Sequence, residues 1–134
     1  VQTVSGAMTL RQAARLLAHP STSHPTFPVV DEDQRVLGSI DPPSIIRWRR
    51  LGHARTMRLD QLLQKARPTV AYPDEHIEEV VERMNATNVA HLSVVERITG
   101  RLLGYLSWKD IIRAQTGKSA GEQRMSFLRW QKPS

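Results

Sequence analysis

The chain has 134 residues, 40% of them hydrophobic and 24% charged, and a net charge of +6; that suffices for one ordinary domain or for two small ones sharing a core. It contains no cysteine, which excludes disulfides, thiolate metal ligands and a cysteine nucleophile. No apolar run approaches the roughly 20 residues of a membrane-spanning helix, and the N-terminus lacks a signal-peptide pattern; a first residue of Val agrees with a piece cut from a larger protein.

In chain order, Thr3–Val4 reads as a short first strand. "LRQAARLL" (Leu10–Leu17) follows, with Leu10, Ala13, Ala14 and Leu17 at the i, i+3, i+4, i+7 spacing of one buried helix stripe. "FPVV" (Phe27–Val30) is short and β-branched, hence a strand. A polar turn at Asp31–Gln34 leads into "RVLGSI" (Arg35–Ile40), so this strand pair is expected to be antiparallel. A helix starts near Pro42, since proline is tolerated in a first helical turn. "RLDQLLQ" (Arg58–Gln64) reads as a short linking helix.

The series then repeats. Thr69–Val70 matches Thr3–Val4, "IEEVVERM" (Ile77–Met84) matches the first helix, "LSVVE" (Leu92–Glu96) matches "FPVVD", "RLLGYL" (Arg101–Leu106) matches "RVLGSI", and Ile111–Ile112 matches Ile45–Ile46. The offsets are 66, 67, 65, 66 and 66 (3 to 69, 10 to 77, 27 to 92, 35 to 101, 45 to 111). Five matches in one order mark a duplication. The expected fold is α+β: two β-α-β-β-α units, residues 1–57 and 58–115, with the linking helix opening the second. Each is marginal alone, so they are expected to pack face to face with pseudo-twofold symmetry. Residues 116–134 form a basic tail.

Charge is uneven. "IIRWRRLGHARTMR" (Ile45–Arg58) has five arginines and no acid, and the tail adds Lys118, Arg124, Arg129 and Lys132 against Glu122. The plain reading is a solvated basic face; the functional ones are an acidic partner domain, anionic lipid headgroups or nucleic acid. Nucleic acid is disfavoured because no helix-turn-helix, zinc finger or aromatic-interleaved strand is present. Glu75, Glu78, Glu79 and Glu82 read as a solvated helix face with acids in the first turn, or more sharply as a patch for a basic partner or Mg²⁺. The five histidines, at 19, 24, 53, 76 and 91, lack ligand spacing, so no metal site is expected. "TGKSAG" (Thr116–Gly121) lacks the earlier glycine of a phosphate loop and reads as a linker. "MSFLRW" (Met125–Trp130) is expected to fold back on the domain, dock a partner or lie at a membrane surface. No nucleophile–base–acid set emerges, so no catalytic residue is assigned and the chain is not read as an enzyme.

"GYLSWKD" (Gly104–Asp110) carries the most chemistry. Its plain reading is a capping box: Ser107 accepts from N–H groups at a helix start and Asp110 reaches back to the Ser107 N–H. A helix start also suits phosphate, because its N–H groups are unpaired and carry partial positive charge. A hydroxyl adds a donor, and a carboxylate one turn in can accept both hydroxyls of a ribose.

Two such units, with "FPVVD" and "LSVVE", "VLGSI" and "LLGYL", and "GYLSWKD", resemble a pair of CBS domains over roughly Val1–Ala114. The resemblance implies adenosine-nucleotide binding in clefts between units, regulation of an attached enzyme, transporter or channel, and association in twos. Gly104, Ser107 and Asp110 match the family's Gly-apolar-x-Ser/Thr-x-x-Asp nucleotide motif. It implies Ser107 at the phosphate, Asp110 at the ribose, and the base against Thr69, Val70 and Ala71 and against Ala90, His91 and Leu92. His91 also reads as an ordinary partly buried histidine. The first copy departs from the motif, with Asp41 for the hydroxyl and Ser44 for the carboxylate. Asp41 would repel a phosphate by roughly a few kcal/mol, so at most one nucleotide per chain is expected.

The reading is a regulatory sensor for AMP, ADP or ATP, with no required cofactor, in which nucleotide changes the mutual angle of the two units. The basic tail resembles the cytosolic C-terminal end of bacterial chloride-channel-family proteins, which implies a cytoplasmic module at the inner face of the plasma membrane. The competing reading is a ligand-independent homodimerisation module.

Overall fold

The structure is a computed structural model that describes residues 2–18, 26–64 and 67–115. The readings placed on His19, His24, "TGKSAG" and "MSFLRW" lie outside the described residues. The chain divides into two compact units, one of Gln2–Pro68 and one from Thr69 onward.

The first unit runs β1 (Val4–Ser5), α1 (Leu10–Leu17), β2 (Phe27–Val30), β3 (Val36–Ile40), α2 (Pro42–Arg50) and α3 (Leu59–Leu62). Its three-stranded sheet has the order β1-β2-β3, with β1 parallel and β3 antiparallel to β2. The antiparallel pair is the one expected from the polar turn. Thr9 starts α1: its Oγ1 accepts the Gln12 N–H at 3.2 Å, and Gln12 Oε1 accepts the Thr9 N–H at 2.9 Å. Two orphan donors are thereby satisfied reciprocally. The expected stripe faces inward: Leu10 and Ala13 enter a core with Val4, Phe27, Val29, Ile40, Ile45 and Trp48, while Ala14 and Leu17 pack at its edge.

The linking segment folds with the first unit rather than opening the second. Leu10 and Arg11 donate their N–H groups to the carbonyls of Met57 and Arg55 (2.8 and 2.9 Å). Leu59 and Asp60 donate theirs to the carbonyls of Met8 and Gly6 (2.8 and 2.9 Å). Leu59 and Leu63 complete the first core. The boundary drawn at 57/58 therefore falls ahead of a helix whose apolar side belongs to what precedes it. Gly6 lets this return segment lie close, since a Cβ there would stand 2.7 Å from Leu37 Cδ1 and 3.2 Å from Asp60 Cβ.

The second unit runs β4 (Val70–Ala71), α4 (Ile77–Thr87), β5 (His91–Val95), β6 (Leu102–Ser107) and α5 (Trp108–Gln115). Its sheet, β4-β5-β6, repeats the parallel and antiparallel pairings. Ile77, Val80 and Met84 of α4 meet Ala71, Leu92, Val94, Leu106 and Ile111 in its core. The helix ends at Asn88, in the left-handed conformation (φ 56°) that asparagine tolerates at this position. Both units carry a bulge at the same place. Val29 pairs with Gly38 and Val30 with Val36, leaving Leu37 extra; Val94 pairs with Gly104 and Val95 with Leu102, leaving Leu103 extra. The register also revises one repeat match. Val4 faces Val29 and Ala71 faces Val94, so the first strands align 4 to 71, an offset of 67, as the first helices do.

Glu75 is not part of a solvated acidic face. It is 7% exposed and ion-paired through both carboxylate oxygens to Arg83, whose Nη1 also donates to the Val70 carbonyl at 2.8 Å. The Tyr72 N–H donates to Glu75 Oε1 at 2.9 Å. Glu78, Glu79 and Glu82 stay exposed. Burial alone would raise the Glu75 pKa, but the bonds from Arg83 and Tyr72 outweigh it and hold the carboxyl below 4.5.

Removing one partner of a buried pair leaves the other uncompensated. Glu75→Ala is expected to lower unfolding free energy by about 3 kcal/mol in urea melts, at the low end for buried pairs because Arg83 keeps partial solvent access. The double variant Glu75→Gln/Arg83→Met is expected to lose less than the sum of the single variants. Because the folded carboxyl titrates below the unfolded one, the Glu75 contribution is complete above pH 4.5. It is lost as pH falls through the lower folded value.

Candidate functional site

The junction between β6 and α5 is built from neighbouring elements. Trp108 N–H donates to the Ala90 carbonyl at 2.9 Å, tying the first helical residue to the residue ahead of β5. Ser107 Oγ accepts the Asp110 N–H at 3.3 Å, and Asp110 Oδ2 accepts the Ser107 N–H at 3.0 Å. The expected capping box is therefore present. The Ser107 hydroxyl also donates to the same Oδ2 at 2.9 Å. Both bonds to the carboxylate fall on Oδ2, and Oδ1 accepts none among the described residues. Ser107 and Asp110 are both partly exposed.

The strand register sorts the other candidates onto two faces. His91 pairs with Ser107, Ser93 with Tyr105 and Val70 with Ser93; paired residues share a face of a sheet. Val70, His91, Ser93, Tyr105 and Ser107 thus line one side. The His91 ring stacks on Tyr105, with centroids 5.5 Å apart and planes 4° from parallel. Ala71, Leu92, Leu106 and Gly104 lie on the other, with the side chains of Ala71 and Leu92 committed to the core beneath the helices. Only the backbone of Ala71 and Leu92 is available to a ligand. Gly104 faces Val94, three pairs along from the His91–Ser107 pair, or about 10 Å at strand spacing. It stands apart from Ser107. Thr69 and Ala90 precede β4 and β5 at the end of the sheet where β6 finishes.

Tyr105 and Ser93 were missed by sequence reasoning. Their signal was the period of two along a strand, which places Tyr105 beside Ser107 and Ser93 beside His91 on one face. Burial pushes the His91 pKa below 6.5, and the Asp110 charge offsets part of that shift. His91 is thus a neutral, stackable ring at pH 7.

Among the described residues, the first unit has no such platform. By the same register Pro28 and Ser39 stand where Ser93 and Tyr105 do, and Thr26 where His91 does. Asp41 starts α2, accepting through Oδ1 both the Ser44 N–H at 2.9 Å and the Ser44 hydroxyl at 2.6 Å. The Ser–Asp pair is conserved in chemistry between units but reversed in order. Among the described residues, no group of three His, Asp or Glu side chains is placed to hold a metal ion, and no helix is long and apolar enough to cross a membrane.

Duplicated β-α-β-β-α units with a capped helix at the end of each hairpin define a tandem-repeat α+β module. A model of the CBS domain matches residues 1–50 and 62–117, and the chain belongs to that family. The CBS domain pair of protein MJ0100, solved with 5′-methylthioadenosine and S-adenosyl-L-methionine, is 20% identical with a TM-score of 0.62, covering 85% of this chain and 92% of that one. The CBS pair of a putative Mg²⁺ transporter, SO5017 of Shewanella oneidensis, is 19% identical with a TM-score of 0.63, covering 81% and 60%. A curated homoserine O-acetyltransferase of Methanohalobium evestigatum is 26% identical over 113 residues, 84% of this chain. The chain spans 22% of that relative's length.

As pH falls through 6.5, an unfolded His91 takes up a proton that the folded site resists, so its contribution to stability is present above 6.5 and declines below it. The His91 ring resonance is expected to titrate below 6.5 by NMR. In Asp110→Asn the midpoint is expected to fall further, because the carboxylate that favours the imidazolium is gone.

Proposed function

We propose that this module is a non-catalytic regulatory sensor that binds one adenosine nucleotide at the β6–α5 junction of the second unit. The observation that carries the reading is the Ser107–Asp110 pair at a helix start, beside the stacked His91 and Tyr105 rings. The α5 N-terminus and the Ser107 hydroxyl suit phosphate. Asp110 Oδ1 is left to accept ribose hydroxyls. The neutral His91 edge and the backbone of Thr69, Val70, Ala71, Ala90 and Leu92 offer donors and acceptors to a base. That the related MJ0100 pair holds adenosine compounds supports the ligand class.

Regulation requires the nucleotide to bind two states of the module with different affinity. The attached part is a transporter or channel in this reading, with the module on the cytoplasmic side of the membrane. The pair in a putative Mg²⁺ transporter supports such an attachment, and the acetyltransferase relative supports an enzyme instead.

A second reading, homodimerisation without ligand, is favoured by Ile46 and Ile112. These equivalent positions on α2 and α5 are 51% and 49% exposed, although their neighbours Ile45 and Ile111 are buried. Apolar side chains left outside at the same place in both repeats suit a self-association face.

Calorimetric titration with AMP, ADP and ATP is expected to give one site per chain, with affinity lost at least tenfold in Ser107→Ala and in Asp110→Ala. Two equivalent sites, or binding indifferent to both variants, would sink the assignment. In sedimentation, a dimer that forms without nucleotide and dissociates in Ile46→Lys/Ile112→Lys would establish the second reading.

A further inference from the structure

Helices α1 and α2 of the first unit border a cleft of about 450 Å³. Leu10, Ala14 and Ala18 line it with apolar groups, and Arg11, Arg15, Arg49 and Arg55 supply the exposed cationic rim. An adjoining hollow of about 470 Å³ shares Arg49 and Arg55 and adds Arg50 and His53. Among the described residues, no carboxylate lines either. Among the described residues, the ion pairs are Arg58–Asp60, Arg83–Glu75 and Arg97–Asp74. None brings an acid to this rim, and all five arginines are exposed.

Helix dipoles account for only part of the cluster. Arg15 lies in the last turn of α1, and Arg49 and Arg50 in the last turn of α2, where cations are favoured. Arg11 lies in the first turn of α1, where the dipole favours an acid and the sequence supplies none. Arg55 belongs to no helix, yet its carbonyl accepts the Arg11 N–H at 2.9 Å, which fixes the two cationic residues side by side. The described residues hold like charges around a hollow and bring no counter-charge to it. Guanidinium groups pair bidentately with phosphate oxygens and are the usual side chains for multiply charged anions.

We propose that this cleft is a binding site for a ligand with clustered phosphates, separate from the adenosine site and sharing no residue with it. The phosphates are either those of a free polyphosphate or those of a lipid headgroup. In the second case Ile46 and Leu51, 51% and 67% exposed on and just after α2, would meet the bilayer.

Inorganic tripolyphosphate, which has no base or ribose for the Ser107–Asp110 site, is the probe for calorimetry on the full chain. Affinity is expected to fall at least tenfold in Arg15→Ala/Arg49→Ala, less in Arg15→Lys/Arg49→Lys, and to be unchanged in Ser107→Ala/Asp110→Ala. Thermal melting of each variant checks that these exposed substitutions leave the fold intact. Co-sedimentation with phosphatidylcholine vesicles that contain cardiolipin, but not with those that lack it, and its loss in Arg15→Ala/Arg49→Ala and in Ile46→Ser/Leu51→Ser, would assign the headgroup. Tripolyphosphate binding without co-sedimentation would assign a free polyphosphate. Absence of both, or binding unchanged in the folded Arg15→Ala/Arg49→Ala variant, overturns the proposal.

Discussion

The pairing of His91 with Ser107 sets the rest of the second unit. Strand side chains alternate, so this register sends Leu92, Val94 and Leu106 under the helices and turns His91, Ser93, Tyr105 and Ser107 to the other side. A slip of one residue would put the polar set under the helices and turn the apolar set away from them. The same pairing ends β6 opposite the start of β5, where the Ala90 carbonyl accepts the Trp108 N–H and begins α5. The first unit follows the same rule, with Phe27 on Ile40 and Val29 on Gly38.

On this shared frame the two copies have taken different chemistry. The second carries stacked rings and a serine-then-aspartate cap; the first carries an aspartate-then-serine cap and a cationic hollow between its helices. The duplicated scaffold supplies two positions of each kind, and the side chains decide which are used. A family's fold gives the position of a site, whereas its residues give the ligand.

The short first strand of the second unit depends on a polar anchor. β4 has two residues, too few to be stable by pairing alone. Arg83 of α4 bonds its Val70 carbonyl while holding Glu75, and Glu75 accepts the N–H of Tyr72 just after the strand. Arg97, over the Tyr72 ring at 4.1 Å and ion-paired to Asp74, closes the same corner from the β5–β6 turn. The strand that borders the proposed base site is thus tied to the helix and the turn beside it.

The sequence by itself determined what is local or repeated. The helix stripe of Leu10 and Ala13, the polar turns, the cap at Ser107, and the duplication were legible because each depends on spacing of a few residues or on comparing the two copies. The tertiary structure decided what depends on contacts between distant segments. It buried Glu75 against Arg83, joined the 57–64 segment to the first core, moved the first-strand match to 4 and 71, and set Tyr105 beside His91. It also gathered Arg11 and Arg15 with Arg49 and Arg55, residues some forty apart in the chain. Periodicity says which residues share a face of one element; only the packing of elements says which faces meet.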